Sequence, residues 1–462
     1  MEYFGYIFFA VPFVAALLFG LLVVVLLFFV VRSAGFGVGA IAILYIFEAN
    51  FPGFQGVNLG IRIDAPDLIS LLLAVAVLFR LIFIPAARPA LKAWYIVAGG
   101  ILVSLVWGLA TLGTAGGVAA RPYFYALAVM SYVLTFPGDQ RLVRQLFTAL
   151  AWIGVCTVAL VVFRWFVTYL PIPALLPPEG RFSSVESSRL RVIPSFEAML
   201  LAQLVLVGIF YPAVVPLLRW LRPLVPLALL TVIVLQHRSV WIAIAAGAMA
   251  RFALPEAGRK ATLQLAAVGT ALSLALIPLV SSDRFTAATA DIGSSAKRAI
   301  AGADTVNFRL DSWDFALRKW SDSGPVSVAI GLPMGTSMER LLRSDSGNYQ
   351  RVQVSAHNFY VETLFYTGLV GILAVLSMYG FVIVNLVRGM KDSQMATASG
   401  ALFLLIVSQL FYYVAYGVDY FQGLIFGVAA AVALTISERR RAAPIERPLG
   451  GSSAYWSPAR GR

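Results

Sequence analysis

The chain has 462 residues, of which 60% are hydrophobic and 12% charged, with a mean hydropathy of +0.85. Soluble domains carry roughly 25% charged residues, so a soluble globular protein is excluded in favour of a polytopic helical membrane protein. The net charge of +13 does not indicate a nucleic-acid binder, because much of the excess Lys and Arg sits in short loops between apolar segments, the pattern of cytoplasmic loops.

In chain order, segments near 6–31, 36–50, 66–86, 94–115, 122–136, 147–170, 195–216, 223–235, 239–250, 261–281, 357–387, 397–417 and 421–436 read as membrane spans. The expectation is an all-α, polytopic transmembrane bundle of about 12–14 spans, each of ~20 apolar residues, with one large extracytoplasmic loop. The first span lacks a preceding basic region and is too long for a cleavable signal peptide. Arg32, Arg88 with Lys92, Arg141 with Arg144, Arg219 with Arg222, Arg251 with Arg259 and Lys260, Arg388 with Lys391, and Arg439 to Arg441 fall on one side. That side is expected to be cytoplasmic. Four regions follow: N-terminal transmembrane helices over 1–281 with an outer loop at 171–194, a large outer loop over 282–356, C-terminal transmembrane helices over 357–436, and a polar cytoplasmic tail over 437–462. Cys156, the only cysteine, lies in an apolar run and reads as a small buried hydrophobe.

The outer connections hold the chemistry. Loop 171–194 carries Arg189 and Arg191, and the tight turn at 236–241 carries His237 and Arg238. Loop 282–356 holds nine Lys/Arg and eight Asp/Glu. Within it, 307–322 reads as a helix in which Trp313, Ala316, Leu317 and Trp320 form one apolar face. That face is expected to lie on the bundle or at the lipid headgroups. Arg309 starts this helix, and the turn-rich Gly331-Leu332-Pro333-Met334-Gly335 follows it. The chain has two histidines, His237 and His357, both at helix ends.

Three separate outer connections thus bring arginine to one membrane face. Guanidinium binds phosphate through a bidentate, charge-assisted fork, so a shared pyrophosphate site is one reading. Anchoring to lipid headgroups, or pairing with nearby Asp and Glu, is the other. Gly35-Phe36-Gly37-Val38-Gly39 opens a span rather than a strand–turn–helix, so it is no nucleotide site. Two histidines, one cysteine and no dense acidic cluster give no expected metal site, and no cofactor is expected.

The stretch His357-Asn358-Phe359-Tyr360-Val361-Glu362, continuing to Gly368-Leu369-Val370-Gly371, resembles the signature of the O-antigen ligase and polymerase superfamily. Arg309-x-x-x-Trp313, Gly331 to Gly335, Arg191-Val192-Ile193-Pro194-Ser195-Phe196-Glu197 and Arg238-Ser239-Val240-Trp241 resemble its other elements in order. The resemblance covers about 180 to 436. It implies a GT-C-like membrane glycosyltransferase in the bacterial inner membrane, with its active site facing the periplasm. The implied donor is an undecaprenyl-pyrophosphate-linked glycan, and the acceptor is a glycan or lipid A-core. It further implies His357 as general base and Arg191, Arg238 and Arg309 as pyrophosphate ligands, with no metal. Asn358, His237, Arg189 and Trp313 are possible supporting residues. The turn Gln236 to Trp241 resembles exopolysaccharide polymerases more than ligases, so a polymerase is favoured, with an O-antigen ligase as the alternative. A lipid-linked sugar transporter or flippase is the alternative from another class. It would call for charges or broken helices at mid-membrane, whereas Arg80 and Arg164, the main charges inside spans, lie toward span ends.

Overall fold

The computed structural model describes residues 20–50, 56–58, 62–169, 192–220, 223–254, 303–343, 349–353 and 356–442. Apolar helices dominate it. The first, α1 (Gly20–Arg32), meets α2 (Ala34–Asn50) at an angle of 118°. Then follow α3 (Ala65–Phe83), α4 (Lys92–Leu112), α5 (Thr114–Leu134), α6 (Gln140–Tyr169), α7 (Ser195–Phe210), α8 (Leu224–Val234) and α9 (Arg238–Phe252). After the described gap come α10 (Ala303–Ser321), α11 (Pro325–Ile330), α12 (Phe359–Gly389), α13 (Ala396–Tyr412) and α14 (Tyr420–Ala442). Five of these helices are long and apolar enough to cross a membrane, or six if the bent pair is one span.

These helices match the hydropathy reading, with instructive shifts. Helix α5 begins at Thr114, ahead of the expected start at Pro122, and carries that proline inside it. A proline inside a membrane helix is tolerated where neighbouring groups or local adjustments re-satisfy the freed backbone. Helix α14 continues to Ala442, past the expected span end. The expected span 261–281 and the outer residues 282–302 lie outside the described residues. Two short antiparallel hairpins were not foreseen: β1 (Val57–Asn58) with β2 (Arg62–Ile63), and β3 (Glu339–Arg343) with β4 (Tyr349–Gln353).

The bundle has two chemically different ends. At one, the α5–α6 connection meets the tail of α14, where Gly138 N donates to Thr435 Oγ1 at 3.1 Å. The same end joins Gln140 Nε2 to Gln394 O at 2.6 Å and Arg439 to Asp392 at 3.7 Å. Arg80 is buried there, donating to Thr135 Oγ1 at 2.8 Å and stacking over Phe136 at 3.7 Å. Of the basic residues assigned to one side by sequence, Arg32, Arg141, Arg144 and Arg439 gather at this end.

At the other end, α2 reaches α14 through Tyr420 Oη donating to Glu48 Oε2 at 2.7 Å, and α13 reaches α7 through Tyr412 Oη and Ser195 Oγ at 3.2 Å. Deep in the bundle, Gln203 of α7 and Gln422 of α14 exchange two amide hydrogen bonds at 3.0 and 2.9 Å, and Gln409 of α13 donates to Gln422 O at 3.2 Å. Buried amides of this kind hold helices in register where lipid supplies no hydrophobic driving force.

Candidate functional site

The turn Gly331 to Gly335 is buried between α4 and α12 rather than exposed. Leu332 N donates to Phe365 O at 2.7 Å, Met334 N donates to Ser104 O at 3.1 Å, and Ser104 Oγ donates to Leu332 O at 2.9 Å. This insertion explains the glycines that follow His357. Gly368 adopts φ +62° inside α12, breaking the helix, and a Cβ there would lie 2.3 Å from Ala329 O. Only glycine takes that conformation freely and admits that approach.

Helix α10 then lies over the head of α12. Ala316 is buried with Leu332, Met338, Ala356 and Phe365, and Trp313 and Trp320 pack against this cluster. The apolar face expected from sequence therefore packs on the bundle, although Leu317 stays 38% exposed. Trp313 Nε1 donates to Ala356 O at 2.7 Å, fixing the residue just before His357.

His357 itself has φ +45°, in the left-handed region. A non-glycine residue there costs about 1–3 kcal/mol and persists only where its surroundings hold it. They do so from both sides. Asn358 Oδ1 accepts from Tyr360 N at 2.9 Å and Val361 N at 3.1 Å, capping α12. Phe359 N donates to Tyr413 O and Tyr416 O, each at 3.0 Å. Asn358 is thus committed to capping through its oxygen, and the imidazole is turned to the edge of a cleft.

That cleft has a volume of ≈ 850 Å³ and lies between the head of α5, the 335–338 turn, the first turns of α12 and the α13–α14 connection. Its polar lining includes His357, Glu362 and Asp419. Tyr123 Oη donates to Glu362 Oε2 at 3.4 Å, and Tyr412 stacks on Tyr416 at 4.7 Å. Tyr123 and Val418 also line an apolar cavity that continues into the bundle. Arg309 of α10 places its guanidinium 5.6 Å from the centre of the Tyr416 ring. The His357 ring is open to the cleft but partly shielded by protein. This partial burial, and then the positive charge of Arg309, hold its pKa below the ordinary 6.5. Burial pushes the Asp419 carboxyl up to about 7, against the pull of the Phe421 backbone N–H and with help from the negative Glu48. Asp419 Oδ2 is buried with no hydrogen-bond partner among the described residues.

Of the residues singled out by sequence, His357, Asn358, Arg309 and Trp313 come together. Arg309 stands over Tyr416 without lining the cleft itself. Arg238 does not line it either: it starts α9, which packs on α7 and α13, and its Nε is buried without a hydrogen-bond partner among the described residues. His237 is buried, with Nε2 3.0 Å from Ile193 O. A carbonyl only accepts, so Nε2–H donates and ties α9 to the head of α7. Arg189 and Arg191 lie outside the described residues. Sequence reasoning missed Glu362, Asp419 and Tyr416. One signal was available: two carboxylates and four tyrosines crowd the short connection after α13 and the first turns of α12, in a chain that is only 12% charged.

A family model described as O-Antigen ligase matches residues 223–376, one third of the chain. The matched stretch runs from the start of α8 into α12 and contains His237, Arg238, Arg309, Trp313, His357, Asn358 and the broken-helix glycine Gly368. No curated protein matches the chain. Residues 223–376 are thus similar to the O-antigen ligase family, within a chain that carries several helices long and apolar enough to cross a membrane, and this supports the resemblance to the O-antigen ligase and polymerase superfamily.

Proposed function

We propose that the chain is a polysaccharide polymerase that moves a glycan from undecaprenyl pyrophosphate to an acceptor sugar hydroxyl, without a metal, at the periplasmic face of the inner membrane. The observation that carries this reading is that His357 lines an aromatic-walled cleft while Arg309, standing 5.6 Å from the Tyr416 ring of the same wall, is near enough to act on the imidazole. The acceptor oxygen bonds to the anomeric carbon as the bond from that carbon to the phosphate oxygen breaks. His357 takes the acceptor proton. The lipid pyrophosphate leaves with the electron pair, and its charge is met by Arg309 through a bidentate fork.

The electrostatics fit this division of labour. A histidine held below 6.5 is neutral at pH 7, with a lone pair ready to accept a proton. Pyrophosphate at Arg309 offsets the charge that depresses the imidazole, so the base strengthens once donor is bound. Tyr123, Tyr412 and Tyr416 offer ring faces and hydroxyl edges to a sugar, and Glu362 and Asp419 accept from acceptor hydroxyls. Arg238 and Arg191 are assigned supporting charge. The polymerase reading rests on the resemblance of Gln236 to Trp241.

Purified protein given lipid-linked repeat units alone tests the reading. Chain extension in the presence of EDTA supports a metal-free polymerase. Product formed only after lipid A-core is added would assign the ligase activity, and loss with EDTA that Mg²⁺ restores would refute the metal-free step. Orientation is checked in a Cys156→Ala background: Ser321→Cys labels with an impermeant thiol reagent in intact spheroplasts and Ser393→Cys does not. The reverse pattern would place the cleft in the cytoplasm.

A further inference from the structure

A second opening lies on the flank of the bundle, away from the cleft. It is a groove of ≈ 660 Å³ between α2 and α6. Its α2 wall is Gly35, Val38, Gly39, Ala42, Ile43 and Ile46, one continuous helical stripe. The facing stripe of α6 starts with Arg141, Arg144 and Gln145 and ends at Trp152 and Cys156. From Gly35 to Ile46, and over the facing part of α6 from Gln145 to Cys156, each stripe rises about 16 Å at 1.5 Å per residue. That is close to half of the ~30 Å hydrocarbon core of a bilayer. The groove therefore spans one leaflet, and its polar mouth lies at the basic end of the bundle.

The mouth has a definite chemistry. Arg141 and Arg144 are both exposed there. A neighbouring hollow shares Arg141 and Gln145 and adds Arg32. Asp139, which borders that hollow, accepts from Leu142 N at 2.9 Å and is engaged in capping α6. Gln145 Oε1 is buried with no hydrogen-bond partner among the described residues, which leaves an acceptor for a hydroxyl beside the two guanidiniums. Deeper in, α2 leaves real space: a Cβ on Gly39 would meet no atom within 4 Å.

We propose that this groove binds an anionic glycerophospholipid of the cytoplasmic leaflet, with one acyl chain between α2 and α6, its phosphate on Arg141 and Arg144, and a headgroup hydroxyl on Gln145. The length of the groove matches an acyl chain in one leaflet, and the charge at its mouth matches the anionic lipids of that leaflet. Basic pockets between transmembrane helices on this side select headgroups by the same electrostatics. The groove opens at the end opposite the cleft, so its occupancy does not depend on the transfer chemistry.

The test uses the full-length protein, purified in detergent and stripped of lipid. Dioleoyl phosphatidylglycerol and dioleoyl phosphatidylcholine are titrated separately, with binding read by native mass spectrometry and by the shift in thermal midpoint. Phosphatidylglycerol should bind at least about tenfold more tightly, the factor expected from a charge-assisted contact. Arg141→Gln with Arg144→Gln should bring it down to the phosphatidylcholine level. Gly39→Leu should weaken both lipids, because it fills the acyl channel without touching the arginines. Equal affinity of the wild type for the two lipids would overturn the proposal. So would a Gly39→Leu protein that binds both lipids as the wild type does, a result that holds even if the double arginine variant fails to fold.

Discussion

The two histidines occupy matching places and have opposite surroundings. Each follows or holds a left-handed residue at the head of a helix: Gln236 at φ +56° precedes His237, and His357 itself stands at φ +45°. They and their helices face the same end of the bundle. His237 is buried, and its Nε2–H is spent on Ile193 O. His357 is open to an ≈ 850 Å³ cleft, with Arg309 close enough to disfavour its protonated form. Residue type and position therefore do not make a catalytic base. What sets His357 apart is a ring that opens on the cleft, a clamped backbone and a nearby cation, which come from α10, α12 and the α13–α14 connection, and on the proposed function these make it the base.

Substitution should separate the two. His357→Ala is expected to lower turnover by ~10²- to 10⁴-fold, the usual contribution of a positioned base, with normal amounts in the membrane and retained donor binding. His357→Gln should not restore it, because an amide accepts no proton at neutral pH. Full activity in His357→Ala would remove His357 as the base. Arg309→Lys keeps the charge and loses the fork, so a drop of about 10²-fold is expected. A fall of similar size in Arg238→Lys would instead bring Arg238 into direct contact with the donor.

His237→Gln should behave differently. Its amide can still donate to Ile193 O, and activity should stay within about tenfold of wild type. His237→Ala, which leaves that buried carbonyl unpaired, should cost about 1–3 kcal/mol of stability, read by thermal unfolding. A catalytic loss in the glutamine variant without a stability change would give His237 a chemical role. The smallest effect concerns Asp419. Its folded pKa of about 7 lies above the ordinary 3.8, so its burial destabilises the fold increasingly as pH rises from 3.8 through 7. Asp419→Asn keeps an oxygen for the Phe421 N–H and should raise the thermal midpoint by roughly 1–3 °C at pH 8, and by less at pH 5. An equal gain at both values would mean that the carboxyl is not the source.

Much of this architecture was legible in the sequence because bilayer thickness sets helix length. The apolar segments at 36–50, 66–86 and 94–115 each shift by only a few residues. Helix α10 was legible from its tryptophan spacing, and His357 with Arg309 from the resemblance. What could not be read was where the polar pieces dock. Gly331 to Gly335 reads only as a turn-rich stretch of the outer loop, yet it packs into the bundle because Gly368 breaks α12 and Phe365 O accepts from Leu332 N. That is a contact between residues more than thirty positions apart. Glu362 and Asp419 were missed because single carboxylates have no spacing rule, and they matter only once α12 and the α13–α14 connection are side by side. Asn358 reads as a supporting residue by sequence, and the structure shows its oxygen capping α12.

The pH dependence of kcat/KM, measured on purified protein with a lipid-linked glycan donor, tests the His357–Arg309 pairing most directly, since that profile reports the free enzyme. In the wild type, activity should fall on the acid side through a pKa below 6.5. In Arg309→Gln, with the charge that depresses the imidazole removed, the residual activity should fall through a higher pKa. An acid limb that stays at the same pH in Arg309→Gln, or a wild-type profile with no acid limb, would contradict a base at His357 tuned by Arg309.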